Sequence, residues 1–161
     1  MTIRKESQGF SLIELLIVVA IILIIAAIAI PNLLKSKMAA NQASAVASLR
    51  TLNTSEITYS ATYNGGFTSS LAQLGPPASG SATSAAAGMI DSVLAAGTKS
   101  GYSFIYAASA AVNGVTSNYT INANPITPGT TGQNYYYTDA TNVIRQNNSA
   151  SATASDSPIG G

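Results

Sequence analysis

Residues 8–31 read QGFSLIELLIVVAIILIIAAIAIP, and the fold turns on how this stretch is read. From Phe10 to Ile30 there are 21 residues, of which only Ser11 and Glu14 are polar. About 20 such residues in a helix cross the hydrocarbon core of a bilayer. A carboxylate near the centre of such a helix costs about 2.5–3.5 kcal/mol on insertion scales. Glu14 therefore calls for a partner, and the search for one organises the rest of the reading.

The stretch is preceded by the short polar leader MTIRKESQG, residues 1–9, with Arg4 and Lys5. A secretory signal peptide has the same order of parts, but its apolar region is about 7–15 residues. Here the run is longer, and IAIPNLLKSK continues as helix beyond it. Arg4 and Lys5 before the span nearly balance Lys35 and Lys37 after it, so charge counting leaves the orientation open.

Downstream of Pro31 the helical period persists. Met38, Ala45, Leu49, Leu52, Tyr59 and Tyr63 fall on one narrow arc, predicting an amphipathic half over residues 32–63. Asn64, Gly65 and Gly66 are expected to end it. Pro31 lacks a backbone donor and crowds the preceding turn, so a kink or a locally melted segment is expected there. Residues 64–100 form a connector in which SSLAQLG and MIDSVLAAG predict single short helical turns around a low-complexity loop.

Beyond Lys99 the period changes to two. Tyr102, Phe104 and Tyr106 alternate with Ser103 and Ile105, and Tyr119, Ile121 and Ala123 with Thr120 and Asn122. The Asn113–Gly114 pair favours a tight hairpin turn, and YYYT and VIRQ flank DATN as a second hairpin. The fold class is thus α+β: a long kinked amino-terminal helix with a small antiparallel sheet of three or four strands over residues 101–161. The polar tail from Asn147 reads as loose.

Composition narrows the chemistry. Only 8% of the 161 residues are charged, about a third of the usual globular share. The formal charge is +1 with Lys and Arg scattered, which predicts no nucleic-acid partner. The absence of Cys and His removes disulfides, Cys/His metal sites and His-based triads. The acids beyond the span are Glu56, Asp91, Asp139 and Asp156, few candidates for acid–base catalysis, so neither an enzyme nor a cofactor is expected. Asp139 in YTDATN reads as a turn residue; as a calcium ligand it is a weak candidate, since calcium takes six to eight oxygens. The sequons at Asn53, Asn118 and Asn147 are what a chain rich in Asn, Ser and Thr contains by chance.

Glu14 lies one helical turn after Phe10 on the same face. A cut between Gly9 and Phe10 would place a free amine at the edge of the apolar helix. Helix geometry makes pairing of that amine with Glu14 of the same chain awkward, whereas a staggered neighbouring copy can supply it. The residues GFSLIELLIVVAIILIIAAIAIP resemble the amino-terminal signature of the type IV pilin superfamily, which includes the pseudopilins of type II secretion. The resemblance covers roughly residues 4 to 45. It implies that Gly9 precedes the prepilin peptidase cut and that Phe10 becomes an N-methylated terminus. It also implies that Glu14 registers a subunit against its neighbour and that Pro31 marks where the helix loosens in filaments. The implied product is a type IV pilus, a homopolymer whose subunit waits in the bacterial inner membrane with its leader cytoplasmic before becoming extracellular. The implied partners are other copies, the peptidase and the assembly machinery; the alternative is a type II secretion pseudopilin. Cleavage would leave 161 − 9 = 152 residues with five basic and five acidic side chains. Many pilins close the carboxy-terminal region with a disulfide, which this chain lacks; DATN, PITPGTTGQ and packing between subunits are expected to hold it instead.

Overall fold

The computed structural model describes residues 9–63 and 66–160. The leader ahead of Gly9 and the Asn64–Gly65 pair expected to stop the helix lie outside the described residues. Internal packing divides the chain after Ser36, and the two parts are taken in turn.

Helix α1 runs Leu12–Thr62. Up to Ile30 it is greasy on nearly every side, and up to Ser36 it is exposed at every residue but the half-buried Ala26: Leu12 is 81% exposed and Leu33 69%. It is long and apolar enough to cross a membrane. The helix is continuous through Pro31, so the melted segment expected there is absent from the single subunit. Pro31 deprives the carbonyl of Ala27 of its helical donor, but the turns on either side keep theirs and carry the helix across.

From Lys37 onward the chain builds a core of its own. On α1, Ala45, Leu49, Leu52 and Tyr59 are buried as the apolar arc predicted, with Tyr63 half-buried. Two one-turn helices follow, α2 at Leu71–Leu74 and α3 at Ser92–Ala95, where the connector predicted them. Asp91 caps α3 by accepting from Leu94 N at 2.9 Å, and Gly97 closes it with φ +79°.

Among the described residues six strands then form one antiparallel sheet in sequential order: β1 Thr98–Lys99, β2 Tyr102–Ala108, β3 Tyr119–Pro125, β4 Tyr135–Asp139, β5 Arg145–Asn147 and β6 Ser157–Pro158. The sheet thus has more strands than the three or four expected, because β1 and β6 add two-residue edges to the four longer strands. The register pairs Tyr102 with Pro125 and Asn122 with Tyr137. Because side chains alternate across a pleated strand, Tyr102, Phe104, Tyr119, Ile121, Ala123, Tyr136 and Thr138 share the buried face. Between β2 and β3 the chain extends to a tight turn at Asn113 and Gly114, both with positive φ, flanked by the Val112–Val115 bridge.

The tail differs from expectation. Residues 148–156 cross the outer face of β3, where Asn122 Nδ2 donates to Ala152 O at 2.7 Å and Ser151 Oγ to Asn124 Oδ1 at 3.1 Å. Ala152 is buried, and β6 pairs with β5. Arg145 Nη1 donates to Asp156 O and Asn147 Nδ2 to Asp156 Oδ1. The polar groups that made the segment read as loose are consumed in fixing it. Together with β6 they close the carboxy-terminal region without a disulfide. The PITPGTTGQ loop is also anchored: Asn41 Nδ2 donates to Thr131 O, and Gln42 Oε1 accepts from Gln133 N and Asn134 N.

Candidate processing and assembly site

Gly9, Phe10 and Ser11 precede the first turn of α1 and belong to no helix or strand. Phe10 is 83% exposed, and a Cβ placed on Gly9 would meet nothing within 4 Å. The Gly9–Phe10 bond is therefore non-helical and open on its carboxyl side. Why the helix begins where it does is visible in the next four residues. Ser11 O accepts the first intrahelical bond, from Leu15 N at 3.2 Å, which makes Ser11 the N-cap. Its Oγ accepts from Ile13 N at 3.3 Å, and Glu14 Oε2 accepts from Ser11 N at 2.9 Å. This reciprocal arrangement is a variant of the capping box, with the Ser11 hydroxyl on the second helical amide in place of the third, and it satisfies two amide donors at the helix start.

Glu14 thus has an intrachain partner that the spacing argument from Phe10 passed over. The carboxylate cannot readily meet the Phe10 nitrogen of its own chain, but it does reach the amide one residue later. The signal was present in the sequence as Ser11-x-x-Glu14, the capping-box pattern. Only one carboxylate oxygen is engaged in this way among the described residues; Oε1 makes no bond there. A negative group in the first turn also sits favourably against the positive end of the helix dipole. Pro31 lies 17 residues further along α1, exposed and inside the helix.

Asp139 ends β4. Its Oδ1 accepts from Thr141 N at 2.9 Å and from Thr141 Oγ1 at 2.5 Å, and its Oδ2 from Tyr137 Oη at 3.2 Å. Asn142 follows with φ +62°, completing a tight turn between β4 and β5. Burial pushes the Asp139 carboxyl up, but the bonds from Thr141 and Tyr137 outweigh it and hold the group below the usual aspartate range. The weak calcium candidate is therefore occupied as a turn residue. Among the described residues no group of three or more His, Cys, Asp or Glu is placed to hold a metal ion.

Residues 4–30 match the model of the prokaryotic N-terminal methylation motif. The amino-terminal segment carries a prokaryotic N-terminal methylation motif. A stretch of 53 residues, 33% of this chain, is 49% identical to the type IV major pilin protein PilA of Myxococcus xanthus. Another of 37 residues, 23% of the chain, is 60% identical to the type IV wide pilus major component PilA4 of Thermus thermophilus. The matches span 24% and 28% of those relatives, about a quarter of each. No solved structure matches the chain. The motif, the pilus relatives and the α+β architecture together mark the chain as pilin-like, and the motif encloses Gly9, Phe10 and Glu14.

Proposed function

We propose that this chain is a prepilin, the structural subunit of a type IV pilus. Prepilin peptidase cuts it between Gly9 and Phe10 and methylates the new Phe10 amine. The observation that carries the reading is the head of α1. A non-helical Gly9–Phe10 junction sits one helical turn ahead of the capping carboxylate of Glu14, at the start of a helix whose first 25 residues expose nearly all of their apolar side chains. Contiguous apolar surface on that scale marks contact with lipid or with other protein. A bilayer covers it before assembly, and copies of the same segment cover it in a filament. The subunit is therefore anchored in the inner membrane first, leader inward, and its sheet domain faces outward.

Registration follows from the chemistry of Glu14. The methylated amine of an incoming copy is a cation in an apolar setting, stabilised when it meets an anion there. Glu14 offers Oε1 to that amine while Oε2 stays on Ser11 N. The capping box holds the carboxylate at a fixed height on the helix, so pairing with it fixes the axial offset between copies. Pro31 contributes at assembly by leaving the Ala27 carbonyl without a helical donor, which lowers the cost of opening that turn in the filament.

The relatives that match are named as pilus components, which favours a pilus over a type II secretion apparatus. Electron microscopy of sheared filaments, with mass spectrometry of their subunit, tests the proposal. Long surface filaments whose subunit begins at methylated Phe10 support it; confinement to the membrane fraction without filaments overturns it.

A further inference from the structure

Glu56 is 0% exposed, on the face of α1 that packs against the sheet. Its Oε2 accepts from Thr68 N at 3.0 Å. Three oxygen–oxygen contacts then run in series: Glu56 Oε1 to Thr68 Oγ1 at 2.5 Å, Thr68 Oγ1 to Tyr106 Oη at 3.0 Å, and Tyr106 Oη to Thr68 O at 2.8 Å. Each contact needs one hydrogen to be a hydrogen bond, so the chain needs three. The Thr68 and Tyr106 hydroxyls supply one each. The third hydrogen has one available source, the carboxyl group itself.

We propose that Glu56 is a neutral carboxylic acid in the folded subunit, and that its proton completes a latch joining α1 to β2 through Thr68. In this state Glu56 donates to Thr68 Oγ1, Thr68 donates to Tyr106 Oη, and Tyr106 donates to the Thr68 carbonyl. Ionised Glu56 would take the Thr68 hydrogen and leave the Thr68–Tyr106 contact without one. Among the described residues no cation offsets a charge at this place, and the ion pair found there is Lys99–Asp91. The titratable groups around it are Tyr59 on α1, Tyr106 on β2 and Tyr119 on β3, all with hydroxyls pushed up by burial first and by Glu56. They stay protonated where Glu56 titrates. Burial raises the Glu56 carboxyl above its ordinary value, in agreement with the hydrogen count.

The latch makes the domain sensitive to pH in the opposite sense from a paired carboxylate. Stability from the latch is complete below the unfolded glutamate value and is lost as pH rises through the folded one. Glutamine at position 56 copies the neutral acid, because its amide donates to Thr68 Oγ1 while its carbonyl accepts from Thr68 N. The test uses the full chain in detergent. Melting temperatures of wild type and Glu56→Gln are compared between about pH 5 and about pH 8. Wild type is expected to lose melting temperature across that range, and Glu56→Gln to lose this dependence and match or exceed wild type at the upper end. A variant that melts below wild type at the upper end, with the wild-type slope retained, overturns the proposal. A second measurement needs no variant: the chain has three glutamates, Glu6, Glu14 and Glu56, so carboxyl-¹³C labelling gives three signals to titrate. A buried signal that stays protonated above the ordinary glutamate value supports the latch. Three signals that all titrate at or below it overturn it.

Discussion

At the residue scale, substitution can separate the cap made by Glu14 from the registration role proposed for it. The proposed pairing between copies needs its negative charge, whereas the cap on Ser11 N at 2.9 Å needs only its oxygen. Glu14→Ala removes both and is expected to yield processed but poorly assembled subunits. Normal piliation in that mutant, seen by electron microscopy, would remove the registration role. Glu14→Gln keeps an acceptor for the cap and removes the charge. We expect it to be processed as wild type and to assemble as poorly as the alanine variant, because the cap adds only about 1 kcal/mol to the helix start. Recovery of filaments in Glu14→Gln alone would make the cap the function and the ion pair dispensable. A second residue is constrained by space. A Cβ on Gly132 would fall inside the hydroxyl of Tyr102, which is fully buried and donates to Asn134 O at 2.8 Å. Gly132→Ala should cost about 1–3 kcal/mol through overpacking, read as a lower melting temperature. An unchanged melting temperature would show that the 128–134 loop yields freely.

At the element scale, the apolar half of each pattern was legible and the polar half was not. The period-two alternation at Tyr102–Tyr106 and Tyr119–Ala123 named the buried faces of β2 and β3 correctly. The arc Ala45, Leu49, Leu52, Tyr59 named the buried stripe of α1. That stripe also buries Ser48, Asn53, Ser55 and Glu56, which no hydrophobic period can reveal. Their burial depends on partners distant in sequence: Asn53 Nδ2 donates to Thr138 Oγ1 at 2.9 Å, and Tyr119 Oη donates to Asn53 Oδ1 at 3.2 Å. The tail was misread for the same reason, since Asn, Ser and Asp signal a loop until the acceptors that order them are known. Conversely, Asn113–Gly114 and Ser11-x-x-Glu14 are local patterns whose partners lie within three residues, and such patterns are readable without a structure. The buried polar layer predicts a sharp asymmetry. Leu52→Ala should cost about 2–5 kcal/mol by leaving a cavity. Asn53→Ala removes less volume, but it adds the cost of stranding Thr138 and Tyr119 without their partner, about 1–3 kcal/mol per buried group. Chemical denaturation of both variants checks it; an Asn53→Ala that is nearly neutral would mean that water replaces the amide.

At the scale of the whole molecule, a chain with so few charges leaves its pH response to a handful of groups that pull in opposite directions. Asp91 is held below the usual aspartate range by the Lys99 ammonium at 2.8 Å and by Leu94 N–H. Asp156 is lowered by Thr153 N–H and its hydroxyl and by Asn147, and Asp139 by Thr141 and Tyr137 against its burial. For each of the three the folded value lies below the unfolded one, near 3.8. Their contribution is therefore present above that value and lost as pH falls through the folded values. Asp91 is well exposed and Asp156 half-buried at the surface, so solvent screens much of each contribution. Glu56 has the opposite sign: its folded value lies above the ordinary 4.5, and its contribution fades as pH rises through that folded value. The two trends meet between the aspartate and glutamate ranges. The folded domain should therefore reach maximum stability on the acidic side of neutrality, below the range of about pH 5–8 common to globular proteins. Melting temperature measured against pH checks this directly. A maximum that moves toward neutrality in Glu56→Gln, with the acid limb unchanged, would assign the alkaline limb to Glu56 and the acid limb to the three aspartates. A maximum near pH 8 in wild type would mean that the aspartate bonds outweigh the buried carboxyl and that Glu56 does not govern the response.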